Sequence, residues 1–112
     1  MKHFLVQYSY TSRTIGSLVE RPDEDHAAHA SALATSLGAK VLGYWFALGE
    51  FDGVVLIEAP DDVAAASVGM AVASTGNVSR LQTTVLLTMD EAREARRKVA
   101  ALPRPHVDKG AR

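Results

Sequence analysis

No cysteine occurs in the chain, so disulfides, thiolate nucleophiles and cysteine-ligated zinc are excluded. Charge of one sign is not in surplus either: 12 Lys and Arg stand against 13 Asp and Glu, a formal net charge of -1. Without a basic field nothing gathers nucleic acid or anionic lipid, and nucleic acid is not expected as a partner. No apolar run approaches the roughly 20 residues of a spanning helix, and Met1 to Tyr8 turns polar too soon for a signal peptide. No membrane partner and a cytoplasmic location are therefore the expectations. Glycine-rich phosphate loops and Gly-x-Ser-x-Gly elbows are missing as well. What remains is an ordinary globular composition, 47% hydrophobic and 22% charged over 112 residues, enough for one domain with one core.

Lys2 to Tyr10 alternates with period two, placing Phe4, Val6 and Tyr8 on one side and His3, Leu5, Gln7 and Ser9 on the other, which predicts a strand. Thr11 to Asp25 is polar and mixed, with room for one short turn of helix around Ile15 to Glu20. Asp23 to Leu37 reads as a helix with acids in its first turn and a stripe of Ala30, Leu33 and Leu37, stopped by Gly38. Strands are expected over Ala39 to Leu48 and Phe51 to Ala59, joined by Gly49 and Glu50. Asp61 caps a helix over Asp62 to Ser74 whose inner face is read as Val63, Ala66 and Met70. Val78 to Leu87 is the last strand, and Thr88-Met89-Asp90-Glu91 matches a capping box opening a helix to about Leu102. Residues 1–88 thus form the domain, 89–102 an added C-terminal helix, and 103–112, opened by Pro103 and Pro105, a disordered tail.

Strand, helix, strand, strand, helix, strand is the split βαβ pattern, so the fold class expected is an α+β ferredoxin-like βαββαβ sandwich with a C-terminal helix. Helices cover one face of such a sheet, and in a monomer the other face should be polar. Here Val55 and Ile57 oppose Val54 and Leu56, and Val41 and Trp45 oppose Leu42, Tyr44, Phe46 and Leu48, so both faces are apolar. A face of four six-residue strands covers roughly 400 Å². Hiding it contributes on the order of 10 kcal/mol before association entropy is subtracted. A second copy is the expected cover, making the protein a homodimer or higher homo-oligomer; the terminal helix, with its small stripe of Ala92, Ala95, Val99 and Leu102, is the weaker candidate.

The run Tyr44-Trp45-Phe46-Ala47-Leu48-Gly49-Glu50-Phe51-Asp52, continuing through an apolar strand into Glu58-Ala59-Pro60-Asp61-Asp62, resembles the signature of the GYD domain family. The "LATSLGAKVLGYW" and "STGNVSRLQTTVLLT" segments extend the similarity over about Phe4 to Thr88. The resemblance implies a ferredoxin-like fold of the dimeric α/β-barrel type, assembled as dimers or higher oligomers, and implies little about activity. This chain has Phe51 where the family has tyrosine.

Three groups of residues could carry chemistry. Gly49, Glu50, Phe51 and Asp52 read as a hairpin corner, with Phe51 as an anchor and the two acids capping the turn; alternatively Glu50 and Asp52 form an acid and base at a cleft mouth. His26 falls in the middle of its helix stripe and should look toward the sheet, with His29 beside it. Both imidazoles can reach one metal, with Asp25 or Glu50 completing the set, but a lone pair without other fixed ligands is a weak pattern, and neither metal nor cofactor is expected. Tyr8, Tyr44, Trp45, Phe46 and Met70 fill core and interface, or line a cleft between sheet and helices suited to a flat apolar ligand. Arg93, Arg96, Arg97 and Lys98 alternate with acids at helical spacing and read as a self-paired surface. The leading expectation is a homo-oligomer that binds a small apolar or aromatic molecule in that cleft. The alternative is a cofactor-independent cyclase, isomerase or oxygenase acting on an aromatic or polyketide-like substrate, with His26 as base or acid and Tyr8, Trp45 and Glu50 positioning it. A purely structural assembly protein is the third reading.

Overall fold

The computed structural model describes residues 1–103. The tail expected over 103–112 therefore falls, beyond its first residue, outside the described residues. Eight elements follow in order: β1 (Lys2–Tyr10), α1 (Ser12–Glu20), α2 (His26–Ser36), β2 (Lys40–Phe46), β3 (Gly53–Ala59), α3 (Asp62–Ser74), β4 (Val78–Leu86) and α4 (Met89–Ala100). The strands form one antiparallel sheet in the order β2-β3-β1-β4. Alternation dictates its two faces. Phe4, Val6 and Tyr8 of β1 and Val55, Ile57 and Ala59 of β3 point to the same side, where Ala34 of α2 and Ala65 and Val68 of α3 complete a single core.

The sandwich is an open one, which corrects the α/β-barrel type expected for it. Neither β2 nor β4 has a second partner strand among the described residues. The two edge strands β2 and β4 do not pair with each other, so the sheet does not close.

Four local expectations are also corrected. The segment after β1 is a full helix, α1, rather than one turn; Thr11 caps it by accepting a bond from the Thr14 amide at 3.2 Å, and Gly16 within it had masked the pattern. The next helix starts at His26, not Asp23, because Asp25 takes the cap position and accepts from the Ala28 amide at 3.0 Å. Asp23 and Glu24 consequently lie in the preceding loop. On α3 the apolar face was misplaced: Val63 and Met70 are 77% and 71% exposed, while Ala65, Val68 and Gly69 face the sheet. At Gly69 the helix lies close to β4, where a Cβ would come within 3.3 Å of Leu81 Cδ2. In β2 the pairing skips Leu42, with Val41 opposite Ile57 but Gly43 opposite Leu56. This bulge reverses the alternation, so Tyr44 joins Val41 on the helix side and Trp45 turns to the open side.

Candidate functional site

The Gly-Glu-Phe-Asp corner is held by β1. The Asp52 amide donates to the Tyr8 carbonyl at 2.9 Å, and Asp52 Oδ2 accepts from the Tyr10 amide at 2.9 Å. The Ser9 hydroxyl donates to the Glu50 carbonyl at 3.0 Å. Glu50 turns outward and accepts from Arg80 at 3.2 Å, and the Arg80 guanidinium lies 4.9 Å from the ring centre of buried Phe51. Gly49 has φ 143°, a backbone region that side chains resist. Each residue of the corner thus has a structural partner or shape to satisfy.

Next to it, the chain's three tyrosines meet. Tyr44 bonds the Tyr8 hydroxyl through its own and lies 3.1 Å from that of Tyr10. The Tyr8 and Tyr10 rings stand edge to face at 5.3 Å. Burial, reinforced by the bond to Tyr44, raises the Tyr8 hydroxyl above its ordinary range, and the same two causes push Tyr10 up to about 12. These phenols stay protonated at neutral pH and act as packing with directed hydrogen bonds. Side chains fill the space between sheet and helices at this point.

The opposite face of the sheet is bare. Its register places Trp45, Val54 and Gln7 in one row, Gly43, Leu56, Leu5 and Thr84 in the next, and Lys40, Glu58, His3 and Leu86 in a third. The Trp45 ring lies over Gly43, where any Cβ would collide with it, and remains 55% exposed. An apolar centre of Trp45, Val54, Leu56 and Leu5 is therefore rimmed by charge: His3 lies 3.7 Å from Glu58 at one end, with the Arg80–Glu50 pair at the other. The terminal helix does not cover it, for every residue of α4 except half-buried Ala92 is exposed.

A cavity of about 510 Å³ opens between α1, the loop after it and the start of α2. Arg13, Arg21, Glu24, His26 and Asn77 contribute its polar character. The Thr11 amide donates to the Asn77 carbonyl at 3.0 Å, which ties the start of α1 to the turn before β4. His26 Nε2 is shut off from solvent with no hydrogen-bond partner. Such an orphan costs about 1–3 kcal/mol unless something binds it. Ligand atoms of Glu24, His26 and His29 lie within 4.8 Å of one another, and the two imidazoles stand edge to face at 6.2 Å.

The residues expected to share one cleft are thus dispersed. Tyr8 and Tyr44 sit in the core layer, Trp45 on the open face, Met70 on the outer face of α3, His26 at the α1–α2 cavity, and Glu50 at the exposed corner. Among the described residues no hydrogen bond or ion pair joins His26 to Glu50. Glu24, not Asp25 or Glu50, is the carboxylate that completes the histidine cluster, since Asp25 caps α2. Tyr10, Arg13, Arg21 and Asn77 were missed. Tyr10 was legible as the next alternate position after Tyr8, whereas the cavity residues required α1 to be recognised as a helix.

No helix of the described residues is long and apolar enough to cross a membrane. No curated protein matches the chain. Among solved structures it is similar to FFRP-DM1, with a TM-score of 0.53 at 11% identity over 78% of this chain and 100% of that one. It is also similar to MtbAldR, with a TM-score of 0.54 at 13% identity over 78% of this chain; it spans about half, 52%, of that longer protein. At such identities the likeness is one of fold. The family model of the GYD domain matches residues 4–95, which includes the sheet apart from Lys2 and His3 and takes in the Gly-Glu-Phe-Asp corner, and the chain belongs to the GYD domain family.

Proposed function

We propose that the protein is a self-associating module in which two copies cover each other's open sheet face, leaving the α1–α2 cavity free to bind a small polar molecule. The observation that carries this reading is the apolar centre of Trp45, Val54, Leu56 and Leu5, which has water on it in a single chain. A large aromatic set beside aliphatic side chains, with a polar rim around them, is the kind of arrangement that anchors protein interfaces. A second copy suits the rim, because His3, Lys40 and Arg80 lie on the same face as Glu58 and Glu50, so that facing copies can match opposite signs. The net charge of -1 opposes association only weakly. The volume of the cavity is that of small-molecule sites, and its arginines favour a polar, anionic ligand over the flat apolar one expected from the aromatics.

Native mass spectrometry of the untagged full chain tests both parts. Masses at multiples of 12.0 kDa are expected, reverting to one chain in Leu56→Lys, with any retained small molecule lost in Arg21→Ala. A wild-type protein that stays a single chain at micromolar concentration overturns the assembly.

A further inference from the structure

We propose that Glu24, His26 and His29 form a binding site for a zinc-type divalent ion, opening on the α1–α2 cavity. The proposal deepens the small-molecule reading and rests on that cavity being the ligand site. Two independent observations meet here. The three side chains converge from a loop and the first turn of α2, with ligand atoms within 4.8 Å of one another. That is wider than the separation of ligands held at about 2.0–2.2 Å from one ion, so binding draws the three side chains together. Separately, His26 Nε2 is enclosed and has no partner, as expected of an atom whose partner is an ion or water.

Local structure supports the convergence. Asp25 is engaged as the cap of α2, which fixes the start of the helix and thereby places His26 and His29 one turn apart on neighbouring positions of its surface. The Glu24 amide donates to the Arg21 carbonyl at 3.3 Å, turning the loop so that Glu24 comes back toward the imidazoles. Two imidazoles and one carboxylate suit zinc, cobalt or iron(II) rather than magnesium or calcium, which prefer oxygen. Three protein ligands leave at least one coordination position for water or an anion. Arg13 and Arg21 on the same cavity supply the charge to hold such an anion, while Glu20 and Glu24 offset them so that an approaching cation is not repelled.

The test uses untagged, chelator-treated full-length protein titrated with Co²⁺ alone, followed by visible absorption, and with Zn²⁺ alone by calorimetry. One ion per chain is expected. His26→Ala, His29→Ala and Glu24→Gln should each weaken binding by at least the ~10–100-fold that loss of a supporting partner costs, while Asp23→Asn binds as the wild type does. If a variant fails to fold, imidazole resonances of the wild-type protein give the answer: His26 and His29 should shift together at one equivalent of Zn²⁺. Absence of saturable uptake, or uptake equal in all four variants, overturns the site. Should metal fail to bind while the metal-free protein still retains a small molecule that Arg21→Ala loses, the metal inference falls and the cavity remains a ligand site.

Discussion

Two glycines in neighbouring strands meet the same steric problem with opposite consequences. A Cβ at Gly53 would collide with the Tyr8 ring, and one at Gly43 with the Trp45 ring. Tyr8 is buried and its hydroxyl is bonded to Tyr44, so it cannot swing away. Trp45 lies over the open face with water beside it and can. Gly53→Ala should therefore destabilise the fold by about 1–3 kcal/mol or more, the usual cost of overpacking a core, measurable as a lower midpoint in denaturant. Gly43→Ala should leave that midpoint nearly unchanged yet weaken self-association, because the indole that anchors the face is displaced. An equal loss of stability in both variants would contradict the assignment of the two rings to opposite faces. Sequence alternation grouped Phe4, Val6 and Tyr8 on one side of β1, and the structure makes that side the core, but alternation could not show which glycine had an aromatic ring laid over it, since that depends on cross-strand register.

At the scale of elements, the clearest local signal gave the least integrated helix. Thr88 and Glu91 form a complete capping box: the Glu91 amide donates to Thr88 Oγ1 at 3.0 Å, and the Thr88 amide donates to Glu91 Oε1 at 2.8 Å. The same backbone bond, with the Thr88 hydroxyl second, holds the Glu91 carboxyl below its ordinary value. The bond that the ionised carboxylate accepts is thus present above the usual carboxylate range and is lost as pH falls through the lowered value. Thr88→Ala should cost α4 about 1 kcal/mol, seen as faster amide exchange within Met89–Ala100. The midpoint of global unfolding should not move, because α4 contributes no buried residue. A matching drop in global stability would show that α4 packs more than its exposure indicates. By contrast α3, whose sequence suggested a face of Val63, Ala66 and Met70, turns Ala65, Val68 and Gly69 to the sheet, where close approach to β4 at Gly69 leaves little room for a side chain. The bulge at Leu42 is a similar case: no residue in Lys40–Phe46 announces it, and it alone moves Tyr44 and Trp45 to opposite sides.

For the whole molecule, the tyrosine cluster links the fold to pH. Tyr10 is pushed up to about 12 and Tyr8 is raised as well. In the unfolded chain both titrate near 10. The native state then holds protons that the unfolded state releases, so their contribution is complete below about pH 10 and is lost as pH rises toward the native values. Stability should fall in alkali from about pH 10 upward, and absorbance should show phenolate appearing together with unfolding rather than before it. Ionisation of Tyr8 and Tyr10 near pH 10 in a protein that remains folded would contradict the buried cluster.

The order of the four strands with α2, α3 and α4, the division of β1 and β3 into two faces, the helix caps at Asp61 and Thr88 and the GYD relationship were all written locally, in alternation, cap residues and one motif. The open sheet, the cavity and the grouping of Glu24 with two histidines were not. Propensity and period are properties of neighbours along the chain, and they fix which elements form. Which side chains then meet depends on a one-residue bulge, on how closely α3 can approach β4, and on where Asp25 starts α2, and those are settled only when distant segments pack.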